Sequence, residues 1–217
     1  MSPPPSREVF CDDALRWLEA RGTLEGCSVI TSLPDVSELP HLGLDGWRTW
    51  FVDAARRVLR ACPDDGVAIF YQSDIKKDDV WIDKGFLCSL AAHEEGRHTL
   101  FHKVVCRRPP GTATFGRATW SHLLCFSRGV RLAPGIAMPD VLPEPGEANW
   151  TRGMGAAACR LACSFVLKNT TTRTIVDPFC GRGMVLAVAN QMGLDAIGVE
   201  ISAKRARQAR ALVASEK

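Results

Sequence analysis

Residues 174–186, Thr-Ile-Val-Asp-Pro-Phe-Cys-Gly-Arg-Gly-Met-Val-Leu, constrain this chain more than any other stretch. A β-branched run ends in an acid, a glycine-rich turn follows, and an apolar helical segment begins. Gly181 and Gly183 open backbone angles closed to other residues and let a ligand come close to the main chain. Val185–Met192 has the apolar content of a buried helix, with Gly193 as its stop. Asp195–Ile201 then reads as a second buried strand carrying Glu200 near its end. Glu200 stands seventeen positions after Gly183. That is the reach of a strand–turn–helix–strand unit, and an acid at its end can accept both hydroxyl protons of a ribose.

Three ligand classes fit such a unit: dinucleotides, nucleoside triphosphates and S-adenosylmethionine (SAM). The dinucleotide fingerprint needs a small residue three positions after its second glycine, where Leu186 stands. The triphosphate loop needs Gly-Lys-Ser/Thr, but Met184 follows Gly183. Asp177 would repel a phosphate and suits the amino end of SAM. Asp-Pro-Phe-Cys-Gly-Arg-Gly followed by Gly-Val-Glu-Ile resembles the cofactor motifs of class I SAM-dependent methyltransferases, most closely those that methylate amines of DNA and RNA bases. The resemblance implies that Asp177, Phe179, Gly181 and Gly183 line the methionine end of SAM, with Pro178 and Cys180 also among the cofactor-binding residues. It implies likewise that Glu200 holds the ribose, with Ile201 as a further cofactor-binding residue.

Position sharpens the reading. The turn begins only about forty residues from the last one given, whereas a standard class I chain opens with it. The resemblance therefore implies circular permutation, with the third and fourth strands in the N-terminal half. Glu8–Cys11 fits the third strand, with Asp12 placed to hold the adenine amino group. Cys27–Thr31 fits the fourth. Ser32-Leu33-Pro34-Asp35 then falls where the β-class enzymes carry TSPPY or NPPY, so Ser32, Pro34 and Asp35 are the catalytic candidates. In that motif a polar side chain and a backbone carbonyl accept hydrogen bonds from the amine and aim its lone pair at the methyl group. The aromatic fourth residue stacks on the flipped base. Leu33 and Asp35 depart from the pattern. The stacking surface must come from elsewhere, with Trp81, Tyr71 and Trp47 as candidates. Asp35 could act as a base or accept a donor from the substrate. Tyr71, Asp74, Lys76, Trp81 and Lys84, at and beyond the fifth strand, are candidates for binding substrate.

The remaining elements alternate. Helices are expected over Ala14–Arg21, Trp47–Arg60, Lys84–Glu95 and Gly155–Lys168. In the second of these, Trp47, Trp50, Phe51, Ala54 and Val58 share one face. Strands are expected over Val67–Tyr71, Leu100–Arg107 and His122–Ser127, the last two antiparallel because no helix lies between them. The fold class is α/β: a Rossmann-like, doubly wound, seven-stranded and mostly parallel sheet with one antiparallel strand, circularly permuted. Residues 1–7 read as a disordered tail and 8–217 as a single SAM-dependent methyltransferase domain.

Composition narrows the setting. With 46% apolar and 24% charged residues, a chain of 217 residues can build one buried core. No apolar run is long enough to span a membrane. Nine cysteines at irregular spacing suit a reducing compartment, and an intracellular location (cytoplasm or nucleus) is expected. Cys159-x-x-x-Cys163 has no second pair beside it and the histidines are scattered, so no metal is expected. The net charge of +3 does not itself require nucleic acid, but Lys204, Arg205, Arg207 and Arg210 crowd the last helix, and Arg107, Arg108 and Arg117 flank a loop. The expected activity is methylation of a nucleic-acid base. RNA (tRNA or rRNA) is preferred over DNA, because the Pro-rich connection 131–149 is short for a target-recognition domain. A separate recognition subunit remains open as a partner. The alternatives are a small-molecule or protein methyltransferase, which Asp35 would favour, and a non-catalytic SAM-binding partner subunit.

Overall fold

The computed structural model describes residues 3–132, 135, 137–148 and 153–215. Among the described residues, ten strands and six helices follow in chain order: β1 (Arg7–Phe10), α1 (Ala14–Arg21), β2 (Cys27–Thr31), α2 (Gly43–Ala61), β3 (Ala68–Gln72), β4 (Ile75–Lys77), β5 (Val80–Ile82), α3 (Lys84–Glu94), β6 (His98–Cys106), β7 (Trp120–Ser127), β8 (Val141–Leu142), α4 (Ala156–Asn169), β9 (Thr174–Asp177), α5 (Met184–Gln191), β10 (Asp195–Val199) and α6 (Ala203–Ala211). Two short 3-10 turns, Val36–Glu38 and Pro40–Leu42, lead into α2.

Eight strands form one sheet in the order β1-β10-β9-β2-β3-β7-β6-β8. All neighbours are parallel except β7, which runs antiparallel to both β3 and β6. The expected antiparallel pair is therefore present, and the expected seven strands are joined by an eighth. That extra strand, β8, is two residues long and lies in the Pro-rich connection beside β6; residues 133, 134, 136 and 149 of the connection lie outside the described residues. The last two long strands, β9 and β10, sit between β1 and β2.

Alternating side chains divide the strands between two cores, as the two-residue period of a strand requires. Val29, Phe70, Leu124 and Val176 pack with α1, α2 and α3 on one face. Ile30, Ile69, Leu123 and Ile175 pack with α4, α5 and α6 on the other. On α2 the apolar stripe predicted from spacing is buried at Trp47, Phe51, Ala54 and Val58. Trp50 lies at its edge and is only half-buried.

At the N-terminus, Met1 and Ser2 lie outside the described residues, but the expected tail has structure further on. Arg7 already pairs with Ala196 in β1–β10, and Ser6 donates to Asp195 Oδ1 through its main-chain N–H at 2.6 Å. The polar stretch after β3, which carries no strand signal, folds as the separate hairpin β4–β5. Asp78 and Asp79 turn it with positive φ at both positions, the pattern of a tight two-residue hairpin turn.

Candidate active site

The C-terminal ends of parallel strands lie along one edge of such a sheet, and ligands bind in the crevice outside them. Here β9 ends in Asp177 and runs into the glycine turn, β10 ends one residue before Glu200, β2 one residue before Ser32 and β1 three residues before Asp13. A cleft with a cavity volume of about 180 Å3 opens at that edge. Its lining includes nine of the expected site residues: Ser32, Pro34, Asp177, Pro178, Phe179, Cys180, Gly181, Glu200 and Ile201. Asp12, Asp35, Tyr71, Asp74, Lys76, Trp81, Lys84 and Gly183 are not among its lining residues. Residues that the sequence reading did not place in the site, Asp13, Glu38, Leu39, Trp50 and Met154, are.

Asp177 sits at the end of its strand, 4% exposed. Its Oδ1 accepts the Thr31 hydroxyl at 2.7 Å and the Phe179 main-chain N–H at 3.2 Å. Burial pushes its carboxyl up to about 7; those two hydrogen bonds pull the other way and the nearby Glu200 adds to the rise. Such a group is held ready for a cation, whose charge would compensate the ionised form. The turn that follows is locked by two main-chain bonds, Cys180 N–H to Val199 O at 3.0 Å and Gly183 N–H to Cys180 O at 2.8 Å. Gly181 has φ 54 and Gly183 φ 85, so both use the left-handed freedom expected of them. They differ in role, because Gly183 presses on α6 rather than facing the cleft.

Glu200 is 7% exposed. Its Oε1 accepts the Ser202 main-chain N–H at 2.7 Å and both Nε and a terminal nitrogen of Arg205 at 3.0 and 2.9 Å. At the other end of the cleft Asp13, not Asp12, is the lining acid. Asp12 is drawn away by Arg16, one helical turn on, and also accepts the Asp13 N–H. The i, i+4 spacing of an Asp and an Arg is a readable signal for that pairing.

The Ser32–Asp35 turn is anchored from behind. The buried Trp47 donates its indole N–H to Pro34 O at 3.2 Å, which makes it a fastening rather than a stacking surface. Tyr71 is likewise buried in the core, at 3% exposure. Asp35 caps the first 3-10 turn: its Oδ1 accepts the Val36 N–H at 2.7 Å, and Glu38 accepts the Asp35 N–H at 3.2 Å. Its other oxygen lies 4.0 Å from Lys84 Nζ. The half-buried Trp50 meets the ring of Phe179 edge-on, centroids 6.1 Å apart, and both line the cleft.

Lys84 and Asp74 belong to a polar cluster beside the cleft. Lys84 is 4% exposed, and burial lowers its ammonium below the usual value although Asp35 and Asp74 oppose this. Asp74 Oδ1 accepts the Lys84 main-chain N–H at 2.9 Å and bonds His122 Nε2 at 2.8 Å. Burial pushes the Asp74 carboxyl up, but His122 and Lys84 outweigh it and leave it below the usual range. His122 Nδ1 lies 2.8 Å from His102 Nε2. Asp74, Asp83 and His122 bring three ligand atoms within 4.8 Å of one another. The imidazole nitrogen is already engaged by Asp74, and the positive end of α3, which Asp83 caps, opposes a cation there.

Comparison with known proteins adds to this geometry. Residues 165–211, which hold the glycine turn and Glu200, match a family model described as DNA methylase. No curated protein matches the chain. Among solved structures, the cytosine-N4-specific PvuII DNA methyltransferase is 16% identical, with a TM-score of 0.72 over 100% of this chain and 92% of that one. A Thermus thermophilus protein assigned as a DNA modification methylase, in complex with S-adenosyl-L-methionine, is 16% identical with a TM-score of 0.70 over 94% and 92%. The M1.HpyAVI–SAM complex is 12% identical, with a TM-score of 0.62 over 94% and 97%. The chain therefore has the Rossmann-like fold of the class I SAM-dependent methyltransferases, and its segment 165–211 carries a match to the DNA methylase family.

Proposed function

We propose that the protein is a SAM-dependent methyltransferase acting on an exocyclic amine of a DNA base. The observation that carries this reading is the buried Asp177 carboxylate beside the Gly181 turn, opening into one cleft with Glu200 and with Ser32 and Pro34. The position of β9 and β10 between β1 and β2 supports the permuted chain order that the resemblance implies. The cleft's residues fit SAM: the Asp177 carboxylate suits its ammonium, Glu200 can accept from the ribose hydroxyls, and Phe179 and Ile201 add apolar surface. When bound there, SAM supplies a methyl group on an electrophilic sulfonium. The protein's own contribution is positioning. The Ser32 hydroxyl accepts a hydrogen bond from the amine and turns its lone pair toward the cleft.

The departure at Asp35 takes a different meaning with the structure. Its carboxylate serves the cap and faces Lys84, so it offers little support for a base or for a cationic small-molecule acceptor. We infer that Trp50 provides the stacking face that Asp35 lacks, since it is a half-buried indole that meets Phe179 and lines the same cleft as Ser32 and Pro34. The preference for RNA drawn from the short connection gives way to DNA, which the matched family model and the PvuII and Thermus thermophilus proteins carry in their descriptions.

Incubation with methyl-labelled SAM tests this reading. Label is expected in DNA and absent from total RNA and protein; label confined to RNA or protein would overturn it. Ser32→Ala and Trp50→Ala should each cut methyl transfer by roughly 10- to 100-fold through lost positioning and stacking. SAM affinity should stay within about threefold in both, an amount below 1 kcal/mol. Calorimetry showing that Trp50→Ala loses SAM binding to the same degree would assign Trp50 to the cofactor instead.

A further inference from the structure

A second groove lies along the same sheet edge, between the β4–β5 hairpin and the loop 107–119 that joins β6 to β7. Its lining includes Trp81, Thr112, Thr114, Arg117, Thr119 and Trp120. The two segments are tied by a bridge between Ile75 and Arg117. Lys76 and Trp81 face each other across the hairpin, and Lys76 Nζ lies 5.2 Å from the centre of the Phe115 ring. Trp81 is 51% exposed and Phe115 95%, so neither ring contributes much to the core. Residues 107–119 carry three arginines and no carboxylate. On the hairpin, Asp78 and Asp79 pair with Lys77 and Lys76, but both acids are largely solvent-exposed, and such pairs are weak enough to yield to a competing anion.

We propose that this groove holds an unpaired stretch of the DNA strand flanking the base to be methylated. The inference rests on the DNA methyltransferase reading above. Exposed aromatic faces interleaved with cations are what single-stranded nucleic acid requires: bases stack on the rings, and phosphates meet arginine and threonine side chains. An acidic peptide would use the arginines but has no need of Trp81 and Phe115. The groove is also coupled to the cleft through the protein. Asp74 lines it, holds the first main-chain N–H of α3 at Lys84, and Lys84 reaches toward Asp35 on the Ser32 turn. A strand lying in the groove is thus beside the turn that would receive its neighbouring base.

Fluorescence anisotropy with a labelled single-stranded DNA oligonucleotide tests the proposal on the full chain. Trp81→Ala and Phe115→Ala should each weaken binding about tenfold, the scale of one lost base stack. Arg117→Ala should weaken it for every sequence and lower the slope of log affinity against log salt by about one. SAM affinity and thermal midpoint should not change, because these side chains are exposed and lie outside the cleft. Wild-type affinity in the Trp81→Ala/Phe115→Ala double variant overturns the groove alone, provided that labelled methyl still enters DNA. Failure of the wild type both to bind and to methylate any DNA overturns the substrate reading and the groove together.

Discussion

Asp177→Asn is expected to lower SAM affinity by about 100-fold while making the ligand-free protein more stable at pH 8. The substitution keeps the shape of the side chain and an oxygen to accept the Thr31 hydroxyl. It removes the negative charge that a buried cation would meet, a loss of about 2–5 kcal/mol for one partner of a desolvated pair. The gain in stability follows from the raised carboxyl. A group whose value rises from 3.8 in the open chain to about 7 in the fold favours the native state most fully below the lower value. That contribution is lost as pH climbs through the upper one, because the native state then holds an ionised group in a buried place. The thermal midpoint of the ligand-free wild type should therefore fall between pH 5 and pH 8, and that of the asparagine variant should fall less. Saturating SAM should reverse the order at pH 8. Equal SAM affinity in the two proteins by calorimetry would remove Asp177 from the cofactor site.

The second large effect concerns folding rather than binding. Gly183→Ala should destabilise the protein by about 2–4 kcal/mol, from left-handed strain added to overpacking. At φ 85 a new Cβ would lie 2.7 Å from Ala209 Cα and 2.8 Å from Ala209 Cβ. These atoms belong to the body of α6 and cannot swing aside as the end of a long side chain can. For a chain of this size the thermal midpoint should drop by roughly 5–15 °C. Gly181→Ala makes the informative contrast. Gly181 lines the cleft, so its substitution should cost more in SAM affinity than in midpoint. A Gly183→Ala protein that melts with the wild type would show that α6 does not bear on the turn.

These two glycines also show how far the chain could be read in advance. The strand–turn–helix unit was legible because it combines β-branched residues, an acid, paired glycines and an apolar helix within a short span. Both glycines could be assigned left-handed freedom from the motif. Only packing separates the one facing the cleft from the one facing α6, since Ala209 is remote in sequence. Trp50 was legible as part of an amphipathic stripe, but a stripe has edges. Spacing does not tell a half-buried edge residue from its fully buried neighbour Trp47. The same holds for the acids before α1: Asp12 and Asp13 are adjacent, and the pull of Arg16 decides which of them reaches the cleft. The hairpin β4–β5 gave almost no signal. Its strands are three residues each, and Asp78-Asp79 is an uncommon choice for a turn that usually uses Asn-Gly.

The placement of β9 and β10 between β1 and β2 bears on how the molecule is made. Thr31 and Asp177, partners across the central strand pair, are 146 residues apart in sequence. A ribosome delivers β2 long before the strand that must lie against it, so the nascent chain carries an unpaired strand edge while all the residues between β2 and β9 are made. Closing so distant a pair also slows folding relative to a chain built from near neighbours. The cleft cannot assemble until β9 and β10 emerge, and a message broken off before β9 would yield a polypeptide lacking the glycine turn altogether.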